Sequence, residues 1–192
     1  MRIRKHAGAA IALAGTVGIL LSLPVRAARQ ENKAVNSAQQ SKPKPAPEME
    51  KLNFYLGEWD YTETYGKAPT GPTNKGLYTS RLGPGGNSLI NTFHSQGPVG
   101  DFEGLQIFTW DPREKAYKVY VFGNDSPGAL VETGAFEGDA LVLHAEVGAP
   151  GATVKLRNTT RVTGPGKLVS EQFMARSNAP ETLLVHVEAR KR

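Results

Sequence analysis

Between residues 66 and 180 the chain is interrupted at short, fairly even intervals by clusters of Gly, Pro, Asn and Asp, and this punctuation limits its fold more than any other feature. The breaks are Gly66 to Pro72, Gly83-Pro84-Gly85-Gly86, Gly97-Pro98, Asp111-Pro112, Asn124 to Gly128, Gly138-Asp139, Gly148 to Gly151, Gly164-Pro165-Gly166 and Asn178 to Pro180. Gly tolerates positive φ and Pro removes a ladder donor, so such clusters end strands and turn the chain back. Nine turns imply about ten strands. The segments between them alternate with a period of two. Leu141, Leu143, Ala145 and Val147 interleave with Val142, His144 and Glu146, and Leu183, Val185, Val187 and Ala189 with Leu184, His186, Glu188 and Arg190.

Only Met49 to Leu56 has helical spacing, with Met49, Leu52 and Leu56 on one face, which predicts one or two helical turns before the first strand. Parallel strands need crossover helices, and none is available. An open antiparallel sheet of ten strands exposes two edges, whereas closure removes them. The expected fold is therefore all-β, a single antiparallel barrel of about ten strands with a short N-terminal helical turn. A two-sheet sandwich is the alternative.

The residues ahead of this domain read as an address and a tether. Met1 to His6 is a short basic start, Ala7 to Leu23 is an uncharged run, and Val25-Arg26-Ala27 places compact residues at the minus-three and minus-one positions of a cleavage site. This pattern predicts a signal peptide over residues 1–27, removed after Ala27, and a periplasmic or secreted protein with no stable membrane anchor after cleavage. The uncharged run of 17 residues is shorter than the ~20 of a spanning helix. Absence of Cys excludes lipid-anchored export, and no Arg pair precedes the apolar run. Residues 28–47 are rich in Gln, Asn, Ser, Lys and Pro and hold no aromatic residue, so they are expected to form a disordered linker. Every Trp, Tyr and Phe falls between Phe54 and Phe173, which sets the folded domain at residues 48–192.

Charge placement removes one class of function. Arg2, Arg4, Lys5 and Arg26 lie in residues 1–27 with no acid, so of the formal charge of +5 only +1 remains in the mature chain. A nucleic-acid partner has no support in that balance.

Leu52 to Trp59 runs as a short amphipathic turn into Leu56-Gly57-Glu58-Trp59. This Gly-x-Trp resembles the approach to the first strand in the calycin superfamily, the lipocalin-like barrels. Met49 with Leu52, Leu56-Gly57-Glu58-Trp59, Trp110-Asp111 followed by Tyr117, and Glu188-Ala189-Arg190 together resemble a bacterial family of unknown function with that expected fold. The likeness spans nearly the whole domain. It implies that Trp59 plugs one end of the barrel and that a basic residue of the last strand, Arg190, lies across the indole, a cation–π contact worth ~0.5–2 kcal/mol. Gly57, Trp59 and Arg190 are then structural closure residues. Haem-binding barrels of the nitrobindin type also open with Gly-x-Trp and take an axial His from near the chain end, which makes His186 the candidate ligand of an alternative haem-binding reading. Those barrels continue with further glycines, where this chain has Asp60-Tyr61-Thr62-Glu63.

The residues themselves show no Gly-x-Ser-x-Gly elbow, no His-Glu-x-x-His, no phosphate loop and no Cys-based metal site. Gly83-Pro84-Gly85-Gly86 reads as a hairpin turn. His94, His144 and His186 each stand alone on a strand, where a surface or half-buried role is the commoner one. Glu171 and Glu188 fall on neighbouring expected strands with Arg157, Arg161 and Arg176 nearby, and salt bridges account for them more simply than acid–base chemistry. If Trp59 points inward, Tyr61, Glu63 and Tyr65 share its face, while the middle strands offer either Phe102, Gln106 and Phe108 or Leu105 and Ile107.

The expected ligand-binding set is Tyr61, Glu63, Tyr65, Phe108 and Glu188. No catalytic residue, metal or cofactor is expected outside the haem alternative. The leading expectation is an exported barrel that binds a small apolar or amphipathic molecule without catalysis. A structural or partner-binding module is the other reading, and it predicts an exposed apolar patch instead of a cavity.

Overall fold

The computed structural model describes residues 44–177 and 179–192, so the expected signal peptide and nearly all of the linker lie outside the described residues. After one α-helical turn, α1 (Pro47–Glu50), and a 3₁₀ turn at Asn53–Tyr55, the alternating segments form β1 (Gly57–Tyr65), β2 (Thr73–Leu82), β3 (Ser88–Gly97), β4 (Gly100–Asp111) and β5 (Ala116–Gly123). They continue as β6 (Leu130–Glu137), β7 (Ala140–Ala149), β8 (Ala152–Gly164), β9 (Lys167–Arg176) and β10 (Thr182–Lys191). Each strand pairs antiparallel with the next, and β1 pairs with β10, so the sheet closes into a barrel without a free edge. That closure disposes of the sandwich alternative.

Register fixes which faces point inward, because residues opposite one another across a ladder share a face. Buried Trp59 and Tyr61 stand opposite Tyr78 and Gly76, and that parity carries through Phe93 and Ser95 on β3 to Phe102 and Gly104 on β4. It continues through Gln106 and Phe108 to Val121 and Val119, then to Leu130 and Glu132. The middle-strand ambiguity is thereby resolved: Phe102, Gln106 and Phe108 face inward, Leu105 and Ile107 outward.

The helical turns cap one end. Met49, Leu52 and Tyr55 are buried against Trp59, Leu89, Phe108, Tyr117, Val119, Leu141 and Leu168 in one cluster. Two hydrogen bonds fasten this cap to the barrel: Trp59 Nε1 donates to the Tyr55 carbonyl at 2.8 Å, and Tyr117 Oη donates to the Glu48 carbonyl at 2.7 Å. Gly57 joins cap to barrel at φ +111°, a conformation that a side chain strains, and a Cβ there would stand 2.9 Å from Lys191 Cε. Trp59 is 2% exposed and stacks on Tyr78 with ring centroids 5.6 Å apart.

The closure partner differs from the expectation by one residue. Lys191, opposite Trp59 in the ladder, brings Nζ to 5.8 Å from the indole. Arg190 stands opposite Asp60, on the outer face, and is exposed. Strand parity explains the correction, since neighbouring residues face opposite ways and, from Val185 onward, the odd-numbered ones of β10 follow Ala189 inward.

Candidate functional site

Inside the barrel, between the cap and the opposite end, lies a cavity of about 490 Å³. Local sequence explains why it stays open. Gly76 and Gly104 face inward, and a Cβ on either would stand 2.4–2.5 Å from the rings of Tyr61 and Phe93 on adjacent strands. Each ring lies over a glycine and is held against the wall rather than across the lumen. Tyr55 and Phe108 form the capped end, with ring centroids 5.3 Å apart. Tyr65 and Phe102 stack at 6.2 Å on the lining.

Polar groups from six strands interrupt these apolar walls. Glu63 Oε2 accepts from Tyr65 Oη and from Ser95 Oγ, both at 2.8 Å. Ser80 Oγ donates to Asn91 Oδ1 at 2.5 Å, and Asn91 Nδ2 donates to Gln106 Oε1 at 3.4 Å. On the β6–β8 side, the Asn158 amide donates to Glu132 Oε1. The hydroxyls of Tyr61 and Tyr78 are buried without a hydrogen-bond partner.

Burial shifts several of these groups. Glu132 is 3% exposed, and loss of hydration pushes its carboxyl up to about 7, opposed by the Asn158 amide. Burial also raises the phenols of Tyr61 and Tyr65, with Glu63 reinforcing the shift in both. Tyr55 and Tyr78 are raised by burial as well.

Of the expected ligand-binding residues, Tyr61, Glu63, Tyr65 and Phe108 all line this cavity. Glu188 does not. Its side chain is 65% exposed on the outer face, 3.7 Å from His186 Nε2. Val185, Val187 and Ala189 take the inward positions of β10, so His186 and Glu188 fall opposite them. His186 lies outside the barrel with Nδ1 3.4 Å from Glu171 Oε1. His94 pairs with Asp101 at 2.8 Å on the outside, and His144 is exposed. No imidazole among the described residues lines the cavity, so its donors do not fit a haem held through His186. No group of His, Cys, Asp and Glu suited to a metal ion occurs among the described residues.

Arg157 pairs with Glu181 at 2.7 Å and stacks on Phe173 at 4.1 Å, which accounts for that arginine without catalysis. Outside the barrel, Tyr120 stands opposite Ile107 and Val131, and Phe122 opposite Leu105. Tyr120, Phe122 and Val131 are exposed, so an outer apolar stretch exists together with the cavity.

Sequence reasoning missed Glu132, Asn158, Asn91, Tyr55 and Tyr78. The available signal was alternation: Leu130, Glu132 and Gly134 interleave with Val131 and Thr133, but a carboxylate on an inward position runs against the usual polar-out reading.

A family model described as "Protein of unknown function (DUF1579)" matches residues 44–191. No curated protein matches the chain. Among solved structures, the crystal structure of Rv2717c from M. tuberculosis is similar at 17% identity, covering 77% of this chain and 99% of that one, with a TM-score of 0.57. The S-type phycobiliprotein lyase CPES from Guillardia theta is 10% identical, with the same coverages and a TM-score of 0.46. At 17% identity the likeness to Rv2717c is one of fold alone.

Proposed function

We propose that this chain, which belongs to the DUF1579 family of proteins of unknown function, is an exported barrel that binds a small amphipathic molecule in its interior without transforming it. The observation that carries the reading is the cavity of about 490 Å³, whose apolar walls are interrupted by a few polar side chains, Glu63, Asn91, Gln106 and Glu132. Ligand sites combine apolar walls with a few placed polar groups, and buried polar atoms are normally paired. A ligand that lays an apolar body against Phe93, Phe102 and Phe108 and offers hydrogen-bonding groups to Glu63, Asn91 and Gln106 meets both requirements. Export rests on the basic start, the uncharged run and the Val25-Arg26-Ala27 cleavage pattern.

Titration with N-phenyl-1-naphthylamine, a neutral probe that fluoresces in apolar surroundings, tests the binding. We expect saturable enhancement at one site, lost when Val121→Trp fills the lumen in a variant that remains folded by circular dichroism. Enhancement that survives Val121→Trp, or none at all, overturns the reading. Export is tested by the N-terminus of protein recovered outside the cytoplasm, expected at Ala28.

A further inference from the structure

Charge around the cavity is one-sided. Glu63 and Glu132 face into it, Asp125 stands at its border on the β5–β6 connection, and no Lys, Arg or His among the described residues lines it. The mature chain as a whole is nearly balanced, so this asymmetry belongs to the site and not to the composition. Two of the acids also have capacity to spare. Glu63 takes both its hydrogen bonds on Oε2, and Glu132 takes its bond on Oε1, which leaves Oε1 of Glu63 and Oε2 of Glu132 without a protein donor. Beside Glu63, the ring of Tyr61 lines the lumen together with those of Tyr78 and Phe93. Carboxylate oxygens and aromatic faces are the groups that attract organic cations, and walls of low dielectric strengthen both attractions.

We infer that the cavity selects cationic ligands, organic amines or quaternary ammonium ions on an apolar body, with the charge held by Glu63 and Glu132 and the body laid along the aromatic wall. The inference rests on the binding reading above and adds the class of ligand.

A cation requires Glu132 ionised, so a quaternary ammonium ion, whose own charge does not titrate, binds more tightly as pH rises through about 7. The other ionisable groups on the inner wall are Glu63, on β1, and four phenols: Tyr55 on the cap, Tyr61 and Tyr65 on β1, Tyr78 on β2. Burial holds those phenols neutral throughout this range.

The test is displacement of N-phenyl-1-naphthylamine by decyltrimethylammonium, decanol and decanoate, at pH 6 and pH 8 and below micellar concentrations. The ammonium ion should compete best and the carboxylate worst, with a preference of about tenfold over the alcohol, the size of one cation–π contact. Its affinity should rise about tenfold between the two pH values. Glu132→Gln should remove the pH dependence, and Glu63→Gln should reduce the preference for the ammonium ion. Equal competition by the three, or tighter binding of decanoate, overturns the cationic assignment while probe binding keeps the cavity reading intact. A probe that does not bind at all ends both.

Discussion

Replacing Glu132 with Gln should stabilise the protein, by an amount that depends on pH. The carboxyl ordinarily titrates near 4.5 and, inside the barrel, near 7. Its folded-state value is raised, so the native state holds the proton more tightly than the unfolded chain does. The associated stability is fully present below pH 4.5 and is lost as pH rises through about 7. At ~1.36 kcal/mol for each pH unit between those values, the ionised carboxylate costs roughly 3 kcal/mol above pH 7. Gln has nearly the same shape, keeps a carbonyl oxygen for the Asn158 amide, and carries no charge. Urea unfolding of both proteins at whole pH values from 5 to 9 measures the effect, with other titrating groups cancelling in the difference. The variant's advantage should be about 1 kcal/mol at pH 5, rise by about 1 kcal/mol per unit to pH 7, and level off at roughly 3 kcal/mol above that. A difference that does not change with pH would refute the reasoning, because it would mean that Glu132 titrates alike in the folded and unfolded chain.

Trp59→Ala removes the plug and its hydrogen bond to the Tyr55 carbonyl, and denaturant unfolding should show a loss of ~3–5 kcal/mol. Gly76→Ala drives a methyl against the Tyr61 ring and the His94 carbonyl, and should cost ~1–3 kcal/mol while reducing probe affinity, both read on one purified sample. At the end of β10, Lys191→Ala should lower stability by ~0.5 kcal/mol through the lost indole contact. Arg190→Ala should leave the melting temperature unchanged, and the reverse order of the two effects would restore Arg190 as the closure residue.

The barrel was legible because its signals are local. Each of the nine Gly, Pro, Asn and Asp clusters falls at a connection between consecutive strands, and the Met49 to Leu56 periodicity falls on the two helical turns of the cap. The inner face of β1 was legible too, since one anchor, Trp59, orients Tyr61, Glu63 and Tyr65 by parity. Other faces needed information that is not local. Phe102 and Phe108 face inward because Gln106 stands opposite Val121, a register fixed across strands, and the apolar Leu105 and Ile107 offered an equally good inner face. The same parity, carried from buried Ala189, already sets Glu188 and Arg190 outward, so both misplacements came from following motif likeness over alternation. Glu132 was hidden for a thermodynamic reason: burying a carboxylate is costly, so sequence patterns assign such residues to solvent.

That cost separates a lumen kept for a ligand from one left by imperfect packing. A barrel serving only as scaffold loses nothing by having Phe in place of Tyr61 and Tyr78, and each phenol buried without a partner costs ~1–3 kcal/mol. Tyr61→Phe and Tyr78→Phe should therefore leave the free protein as stable as before or more so, by about 1 kcal/mol each, because each removes an unsatisfied hydroxyl and little packing volume. Ligand affinity should move the other way if a ligand shifts the side chains that cover the two hydroxyls and so reaches them. Urea unfolding without ligand, set beside displacement by decyltrimethylammonium, measures both quantities on the same variants. Opposite signs identify the hydroxyls as binding groups held at the expense of stability, as functional sites often are. Loss of stability with unchanged affinity would instead show that a neighbouring side chain such as Ser95 already satisfies them, and the two hydroxyls would have no part in binding.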